Sequence, residues 1–315
     1  MNRVITTYAP VIIPTLNRNI HFKHCLESLE RCSGADNTEV YVALDYPPSD
    51  KYNEGWKAID EYLSEKEKKH RFKQLHVIRR DHNFGVCHED GNFESLVRDI
   101  QNCYDRYILT EDDNEFSPCF LDFMNQALEK YKDNPKIYSV CGYNQDEYFI
   151  NEKSIVFLYD NSAWGLGRWS DKFIYDKDYL HAAFCKPSNV LKIWRTYPIL
   201  LLLCLSIMRK KRNYADAVSS VKCICEDLYQ LRPSLSMVRN CGDDGSGLHS
   251  GASGRFSKQK ISDDENFDLP NVSAELTKEL KTAVYNNMMP QTILRRVNVH
   301  IKIAIGLLLY YCSRH

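Results

Sequence analysis

Three consecutive carboxylates, Glu111, Asp112 and Asp113, follow the apolar segment 107–110. Adjacent carboxylates repel one another, so such a set persists only where cations or hydrogen-bond donors compensate it. A divalent cation does this, and the hard oxygen ligands suit Mg²⁺ or Mn²⁺. Such an ion also stabilises negative charge that develops on a phosphate leaving group. The trio therefore predicts a divalent-metal site.

The same residues also allow a structural interpretation. A solvated turn after the strand could cap the helix predicted over residues 118–130, and Ser117 could fill that capping role alone. The trio by itself leaves both interpretations open.

Strand and helix patterns alternate along the chain before the trio. Short apolar runs predict strands over residues 11–14, 39–44, 75–79 and 107–110. Stretches with helical periodicity follow the first three strands over residues 21–31, 52–69 and 94–103. Parallel neighbours need crossover helices, so the alternation predicts an α/β fold with a parallel, doubly wound sheet.

Polar residues follow two more of these strands. Pro14, Asn17 and Arg18 belong to the end and turn of the first strand, and Asp45 directly follows the second. In open α/β sheets ligands bind at the carboxyl ends of the strands, so these residues and the trio predict a nucleotide site. The chain has no Gly-x-Gly-x-x-Gly after the first strand and no Walker-type motif, which disfavours a dinucleotide fold or a P-loop.

Four segments in a fixed order resemble the GT-A glycosyltransferases, specifically the family 2-like bacterial enzymes and the eukaryotic N-acetylglucosaminyltransferases with a Glu-Asp-Asp version of the Asp-x-Asp motif. The segments are residues 11–18 (VIIPTLNR), 109–118 (LTEDDNEFSP), 139–144 (SVCGYN) and 164–169 (WGLGRW). The resemblance covers residues 8 to 250. It implies a GT-A, Rossmann-like fold, in which helices flank a mostly parallel sheet, with a C-terminal helical tail.

This resemblance implies a nucleotide-diphosphate sugar donor, with a UDP-sugar favoured. Asp113 would bind Mn²⁺ or Mg²⁺, and Asp112 and Glu111 would face the diphosphate and the ribose. Asp45 would meet the base or the ribose, and a strand-end cap is its structural alternative.

Trp164 and Gly165 combine a flat apolar ring with a residue that lets the backbone approach closely. That combination suits stacking against a sugar ring, and the resemblance places the segment at the donor sugar and the acceptor. A buried tryptophan in a tight turn is the alternative.

An inverting transfer needs a carboxylate that takes the proton from the acceptor hydroxyl. The resemblance places it after the tryptophan segment and before a proline-containing strand, which we predict over residues 232–240. Asp216 lies at the expected distance and is our candidate catalytic base, with Glu226 and Asp227 as rivals.

A glycine-rich acidic stretch over residues 240–249 ends in His249. It resembles the segment that folds over the diphosphate in this superfamily, where a late histidine completes the metal shell. A histidine in a surface loop is the alternative.

Composition narrows the class of protein further. With 41 basic and 42 acidic residues the net charge is -1, so no global field favours nucleic acid. The 12 cysteines lack the dense spacing of a small disulfide framework, and we expect reduced, mostly buried thiols. The first residues contain no uninterrupted signal-peptide core, which favours a cytoplasmic protein.

Two apolar runs, at 197–208 and 301–312, adjoin basic residues and are shorter than the ~20 residues of a spanning helix. They predict either buried helices or peripheral contact with the inner face of a membrane. We expect a catalytic domain over residues 1–260 and a C-terminal helical extension over 261–315.

The sequence thus predicts a metal-dependent, inverting glycosyltransferase that acts on a hydroxyl of a glycan or lipid-linked acceptor in polysaccharide biosynthesis. A sugar nucleotidyltransferase is the rival enzyme, although it would need a glycine-rich loop where this chain has Pro14 to Arg18. A binding protein that kept the fold and lost the chemistry is the other alternative.

Overall fold

The computed structural model describes residues 7–86, 90–151, 154–172, 178–210, 215–246, 255–263, 267–271 and 275–312. The strands are β1 (Val11–Thr15), β2 (Glu39–Leu44), β3 (Gln74–Arg79), β4 (Arg106–Leu109), β5 (Asn114–Phe116), β6 (Ile137–Cys141), β7 (Ile155–Leu158), β8 (Leu166–Trp169), β9 (Tyr229–Pro233) and β10 (Val238–Asn240). The helices are α1 (Asn19–Glu30), α2 (Asn53–Lys66), α3 (Asn92–Cys103), α4 (Phe120–Lys130), α5 (Tyr179–Phe184), α6 (Pro187–Thr196), α7 (Pro198–Lys210), α8 (Ala215–Glu226), α9 (Lys278–Met288) and α10 (Ile293–Cys312).

Eight strands form the central sheet in the order β3-β2-β1-β4-β8-β6-β9-β7. Four of its seven pairings are parallel and three are antiparallel, with β8 antiparallel to both of its neighbours. Strands β5 and β10 pair separately as a small antiparallel sheet. The predicted α/β class, a mostly parallel sheet flanked by helices with a helical C-terminal segment, is confirmed.

The first half of the sheet forms where the strand and helix patterns alternate. Strand β1 pairs in parallel with β2 on one side and β4 on the other, and all but one of its residues are buried. Burial of both faces by helices is what a continuous β-branched run such as Val11-Ile12-Ile13 requires. The predicted strands over this half agree with the structure to within one residue at each end.

The prediction of one continuous strand over residues 232–240 was wrong. Strand β9 ends in the central sheet at Pro233, which has no N–H to continue the ladder. Between the two strands, the Ser236 hydroxyl donates to the Val238 carbonyl at 2.6 Å and the Met237 N–H to the Gly142 carbonyl at 2.8 Å. The chain thereby leaves the central sheet, and β10 pairs with β5 beside the carboxylate trio.

Helices α5 to α8 and α10 share a second apolar core outside the sheet. Leu201, Cys204 and Ile207 of α7 are buried in it, which supports the buried-helix interpretation of the first apolar run. The helices that build this core lie on both sides of residue 260 in the chain. Among the described residues, no helix combines the length and apolar character needed to cross a membrane.

The cysteines of the described ranges are free thiols. Eleven are described, six of them are buried, and none forms a disulfide.

Helix α2 approaches the turn after β1 so closely that only glycine fits at the contact. A Cβ at Gly55 would lie 2.0 Å from the backbone oxygen of Asn17. A backbone atom cannot move aside as the end of a flexible side chain can. Gly55 therefore sets the distance between the helix and the turn that carries Arg18.

We predict that Gly55→Ala destabilises the fold by about 1–3 kcal/mol, because the added methyl group forces helix and turn apart. Urea unfolding measures the change. Lys57→Ala, at an exposed position of the same helix, should change stability by less than about 0.5 kcal/mol. Equal stability of wild type and Gly55→Ala would show that the turn moves freely.

Candidate active site

The carboxylate trio occupies the connection between β4 and β5. Asp112 and Asp113 are buried, with 6% and 5% of their surface exposed, whereas Glu111 is exposed. Because β1 and β4 are parallel neighbours, the turn after β1 lies beside the trio. The sheet therefore brings together the first and fourth strand ends, as the sequence predicts.

Arg18 bridges the two buried carboxylates. One guanidinium nitrogen donates to Asp113 Oδ2 at 2.6 Å, and the other donates to Asp112 Oδ1. The Thr15 hydroxyl donates to the second Asp112 oxygen at 2.8 Å. Two side chains that follow or end β1 thus hold Asp112 and Asp113 in place.

The segment after β10 forms the other wall around Asp113. The Asn240 amide donates to Asp113 Oδ1 at 2.6 Å, and the Cys241 N–H donates to the Asp113 carbonyl at 2.8 Å. A Cβ at Gly242 would lie 2.0 Å from Asp113 Oδ2, so this position requires glycine. The sequence analysis placed Asn240 and Gly242 in the stretch over the diphosphate. It gave no individual role to them or to Thr15, because no short motif reports a contact between distant segments.

The charges of this cluster act on one another. Burial raises the pKa of Asp112, and the Arg18 guanidinium opposes that rise. For Arg18, burial lowers the pKa, but the negative charges of Asp112 and Asp113 outweigh it and raise the pKa overall. One cation therefore stabilises two buried carboxylates by charge-assisted hydrogen bonds.

Within the described part of the chain, no cationic side chain donates a hydrogen bond to Glu111. The Trp164 Nε1–H donates to Glu111 Oε2 at 3.1 Å. Burial, followed by the negative charges of Asp113 and Asp216, raises the pKa of Glu111 to about 8. The residue is nevertheless exposed to water. Its carboxylate is therefore surrounded by protein atoms but remains accessible to solvent.

Asp216 begins the first turn of α8 and faces the same region. Its charge raises the pKa of Glu111, so the two carboxylates are close enough to repel each other. Burial also raises the pKa of Asp216, and Arg168 and Arg232 counteract part of this rise. Like Glu111, Asp216 is exposed to solvent despite being surrounded by protein. The structure therefore brings Asp216 together with the trio.

The two rival residues lie at the opposite end of α8. At 1.5 Å per residue, the ten residues from Asp216 to Glu226 correspond to roughly 15 Å along the helix axis. Glu226 accepts hydrogen bonds from Tyr179 at 2.7 Å and Lys222 at 2.9 Å. Asp227 pairs with Lys192 at 2.8 Å. Both rivals thus have partners away from the trio.

Trp164 packs between two aromatic rings. Its ring meets Tyr143 edge-on at 4.6 Å and Phe256 edge-on at 5.2 Å. Gly165 has a φ of 68°, and a Cβ there would lie 2.8 Å from the Phe120 ring, so the turn requires glycine. The segment is therefore a tight turn with a partly buried tryptophan, and the turn directs the indole N–H to Glu111.

Asp45 is buried and holds a loop. Its carboxylate accepts backbone hydrogen bonds from Tyr46 at 2.9 Å, Phe84 at 2.8 Å and Gly85 at 2.9 Å, and an amide bond from Asn83 at 3.1 Å. Four donors on one carboxylate favour the strand-end cap, the structural alternative for this residue.

Three predicted site residues remain, namely Pro14, Asn17 and His249. Pro14 pairs with Ala43 inside the β1–β2 ladder and is partly buried. Asn17 is partly buried in the turn before α1. His249 lies outside the described residues.

The donor set around Glu111 fits a hard divalent cation. Burial raises the pKa of Glu111 and Asp216, and nearby negative charges raise that of Glu111 further, so a cation bound here would stabilise the ionised form of both carboxylates. Each oxygen of Asp113 accepts from one side-chain donor, Asn240 or Arg18, and a carboxylate oxygen can serve a further ligand. Carboxylate oxygens are the ligands that Mg²⁺ and Mn²⁺ prefer.

A second group of metal-type donors occurs nearby in the described part of the chain. Ligand atoms of His24, Glu115 and Cys241 lie within 4.8 Å of one another. Arg239 Nε donates to Glu115 Oε2 at 2.5 Å, so this carboxylate already has a cationic partner, as Asp113 has in Arg18. We assign no metal to this group.

Comparison with known proteins identifies no family for the chain. No family model matches it, and no curated protein matches it. Among solved structures, it is similar to S. aureus TarS 1-349 at 13% identity over 56% of this chain and 48% of that chain, with a TM-score of 0.36. The structure of TarS 1-349 in complex with UDP-GlcNAc matches at 13% identity over 56% of this chain and 47% of that one, with a TM-score of 0.35.

A third similar structure is the mannosyltransferase PcManGT from Pyrobaculum calidifontis in complex with GDP-Man and Mn²⁺. It is 12% identical over 71% of this chain and 72% of that chain, with a TM-score of 0.39. The chain thus spans about half the length of TarS 1-349. At these identities and TM-scores the similarities support no conclusion about activity.

We predict that Arg18→Met destabilises the fold by about 3 kcal/mol, because removing the shared cation leaves two buried carboxylates unpaired. Urea unfolding measures the loss. Arg31→Met, at an exposed arginine just after α1, is the matched control and should cost less than about 0.5 kcal/mol. If both variants unfold at the same urea concentration, Arg18 does not compensate the carboxylates.

We also predict that Glu111→Gln stabilises the metal-free protein at alkaline pH. The pKa of Glu111 rises from 4.5 to about 8 on folding, so below pH 4.5 both states are protonated and the residue costs nothing. The cost grows as pH rises from 4.5 to about 8 and is then constant. The stability of wild type relative to Glu111→Gln should therefore fall over this range.

Unfolding midpoints of both proteins across that pH range, with divalent cations chelated, test this expectation. A constant difference between them would show that Glu111 has an ordinary pKa.

Proposed function

We propose that the chain is a metal-dependent glycosyltransferase. It moves a sugar from a nucleotide-diphosphate sugar to a hydroxyl of a glycan or glycolipid acceptor, with inversion at the anomeric carbon. The observation that supports this best is that Glu111 and Asp216, two carboxylates exposed to solvent and close enough to repel each other, lie beside the buried carboxylate of Asp113. The sequence resemblance to GT-A enzymes with a Glu-Asp-Asp motif is the second support.

The residue proposed to hold the cation is Asp113, and His249 is proposed to complete its shell. Mn²⁺ or Mg²⁺ bound there would neutralise charge on the departing nucleoside diphosphate. Arg18, Thr15 and Asn240 keep the Asp112 and Asp113 side chains fixed, so that the oxygens do not need to reorganise when a ligand arrives.

Asp216 is proposed as the general base that accepts the proton of the acceptor hydroxyl. A raised pKa brings a carboxylate closer to the operating pH and makes it a stronger base when ionised. Exposure to solvent leaves room for an acceptor to reach it. Neither Glu226 nor Asp227 shares this surrounding, since both pair with groups at the far end of α8.

The nucleotide sugar is proposed to lie between the turn after β1 and the Trp164 segment. Asn17 and Arg18 border one side of the trio, and Asp112 and Glu111 face the diphosphate and ribose. Trp164 and Gly165 border the sugar. A UDP-sugar is the favoured donor. Asp45 holds the turn over residues 83–85 in place.

A binding protein that keeps the fold without catalysis is the second candidate. The observation in its favour is that Arg18 already neutralises part of the charge on Asp112 and Asp113, the task otherwise given to a metal. The two candidates differ in whether a sugar nucleotide binds more tightly when Mn²⁺ is present, and in whether it turns over.

We predict that wild-type protein shows an Mn²⁺-dependent rise in melting temperature with at least one nucleotide sugar, in a screen of UDP-, GDP- and CMP-sugars. Asp113→Asn should abolish this rise. Asp216→Asn should keep it, while turnover falls by about 10²–10⁴-fold because only proton transfer is lost.

Asp227→Asn is the matched control for Asp216→Asn, and it should retain both binding and turnover. Absence of an Mn²⁺-dependent shift with every donor would contradict metal-dependent donor binding. Binding without turnover in wild type, across a set of glycan and glycolipid acceptors, would favour the binding protein.

A further inference from the structure

Helix α10 is apolar on two opposite faces. Its inward face carries the buried residues Val299 and Ile303, and it packs against α7, where Leu205 lies 3.0 Å from the Cβ position of Gly306. The inward face thus has a partner in the described structure.

The outward face carries a stripe of large apolar side chains. Eight of the fifteen exposed large apolar residues in the described chain belong to α10. Five of these eight recur at intervals of three and four residues and therefore lie in one row along the helix. They are Leu294 (84% exposed), Val297 (49%), Ile301 (51%), Ile305 (54%) and Leu308 (64%). A continuous exposed row of this kind marks an interaction surface.

The charges of α10 have one sign. The helix contains no aspartate or glutamate, and its ionised side chains are Arg295, Arg296 and Lys302. Arg295 and Lys302 are exposed and seven residues apart, so about two helical turns separate them along one flank of the stripe. An apolar row beside exposed basic side chains is complementary to acyl chains beside anionic headgroups.

We propose that the outward face of α10, from Leu294 to Leu308, binds the surface of an anionic lipid bilayer. The helix lies along the interface, with the apolar row in the acyl boundary and Arg295 and Lys302 at the headgroups. Its inward face stays on α7, so the helix does not leave the protein to insert. This proposal does not depend on the proposed enzyme activity.

A second copy of the chain fits this face less well than lipid. A symmetric pairing of two α10 helices would bring Arg295 and Lys302 of both copies into one interface. Since α10 has no acidic residue, those charges would find no partner on the facing helix. Anionic lipid supplies both the apolar phase and the opposite charge.

Vesicle sedimentation with the full chain tests the proposal, using phosphatidylcholine vesicles with and without phosphatidylglycerol. Wild type should bind the anionic vesicles and bind neutral ones more weakly. The double variant Ile301→Gln/Leu308→Gln should bind the anionic vesicles with an affinity lower by about tenfold or more, since two apolar side chains no longer become buried in lipid. Arg295→Gln/Lys302→Gln should lose the preference for anionic vesicles.

The matched control is Ile20→Gln/Leu191→Gln, which removes two exposed apolar side chains from other helices and should bind like wild type. Melting temperatures confirm that each variant folds. Failure of wild type to bind anionic vesicles, or equal binding by Ile301→Gln/Leu308→Gln, overturns the proposal. A wild-type dimer that ignores vesicles and dissociates in that variant also overturns it, because α10 would then be a subunit interface.

Discussion

Two buried carboxylates, Asp112 and Asp113, lie side by side, and Arg18 places one positive charge against both of them. The arginine follows β1 and the carboxylates follow β4, so the ion pairs require these strands to be neighbours. The turn that carries Arg18 also packs closely against α2, which Gly55 permits. The compensation of this charge therefore connects the parallel half of the sheet, the crossover helix and the small β5–β10 sheet into one arrangement.

The compensation is incomplete on the side of Glu111. That carboxylate and Asp216 face the same solvent-open region. Burial raises the pKa of both, and the negative charge of Asp216 raises the pKa of Glu111 further. A fold selected for stability alone would replace one of them, since each costs stability in its ionised form. Groups with shifted pKa values that gather in an open region are typical of functional sites, and this is why the site supports a catalytic proposal.

The second core gives a physical connection between the two proposals. Helix α8 presents Asp216 in its first turn, α7 packs beside it, and α10 packs on α7. The candidate base and the apolar row of α10 thus belong to one helical unit outside the sheet. An acceptor carried by a membrane would meet the base and the lipid-facing helix on the same unit, although each proposal has its own experiment.

Local patterns in the sequence were sufficient to locate the strands and helices of the first half, to predict the α/β class and to place the carboxylate trio after a strand. Strand and helix periodicities and adjacent charges are visible within short windows of sequence. Contacts between distant segments were decided by the tertiary structure. Arg18 lies 95 residues from Asp113 and Asn240 lies 127 residues from it, so no window contains either pair. The division of the predicted strand at Pro233 and the loop-holding role of Asp45 also depend on partners far along the chain. Helices α7 and α10 are both apolar in sequence, but packing buries α7 and leaves one face of α10 exposed. The sequence could not distinguish them, because burial depends on neighbours that only the folded chain brings together.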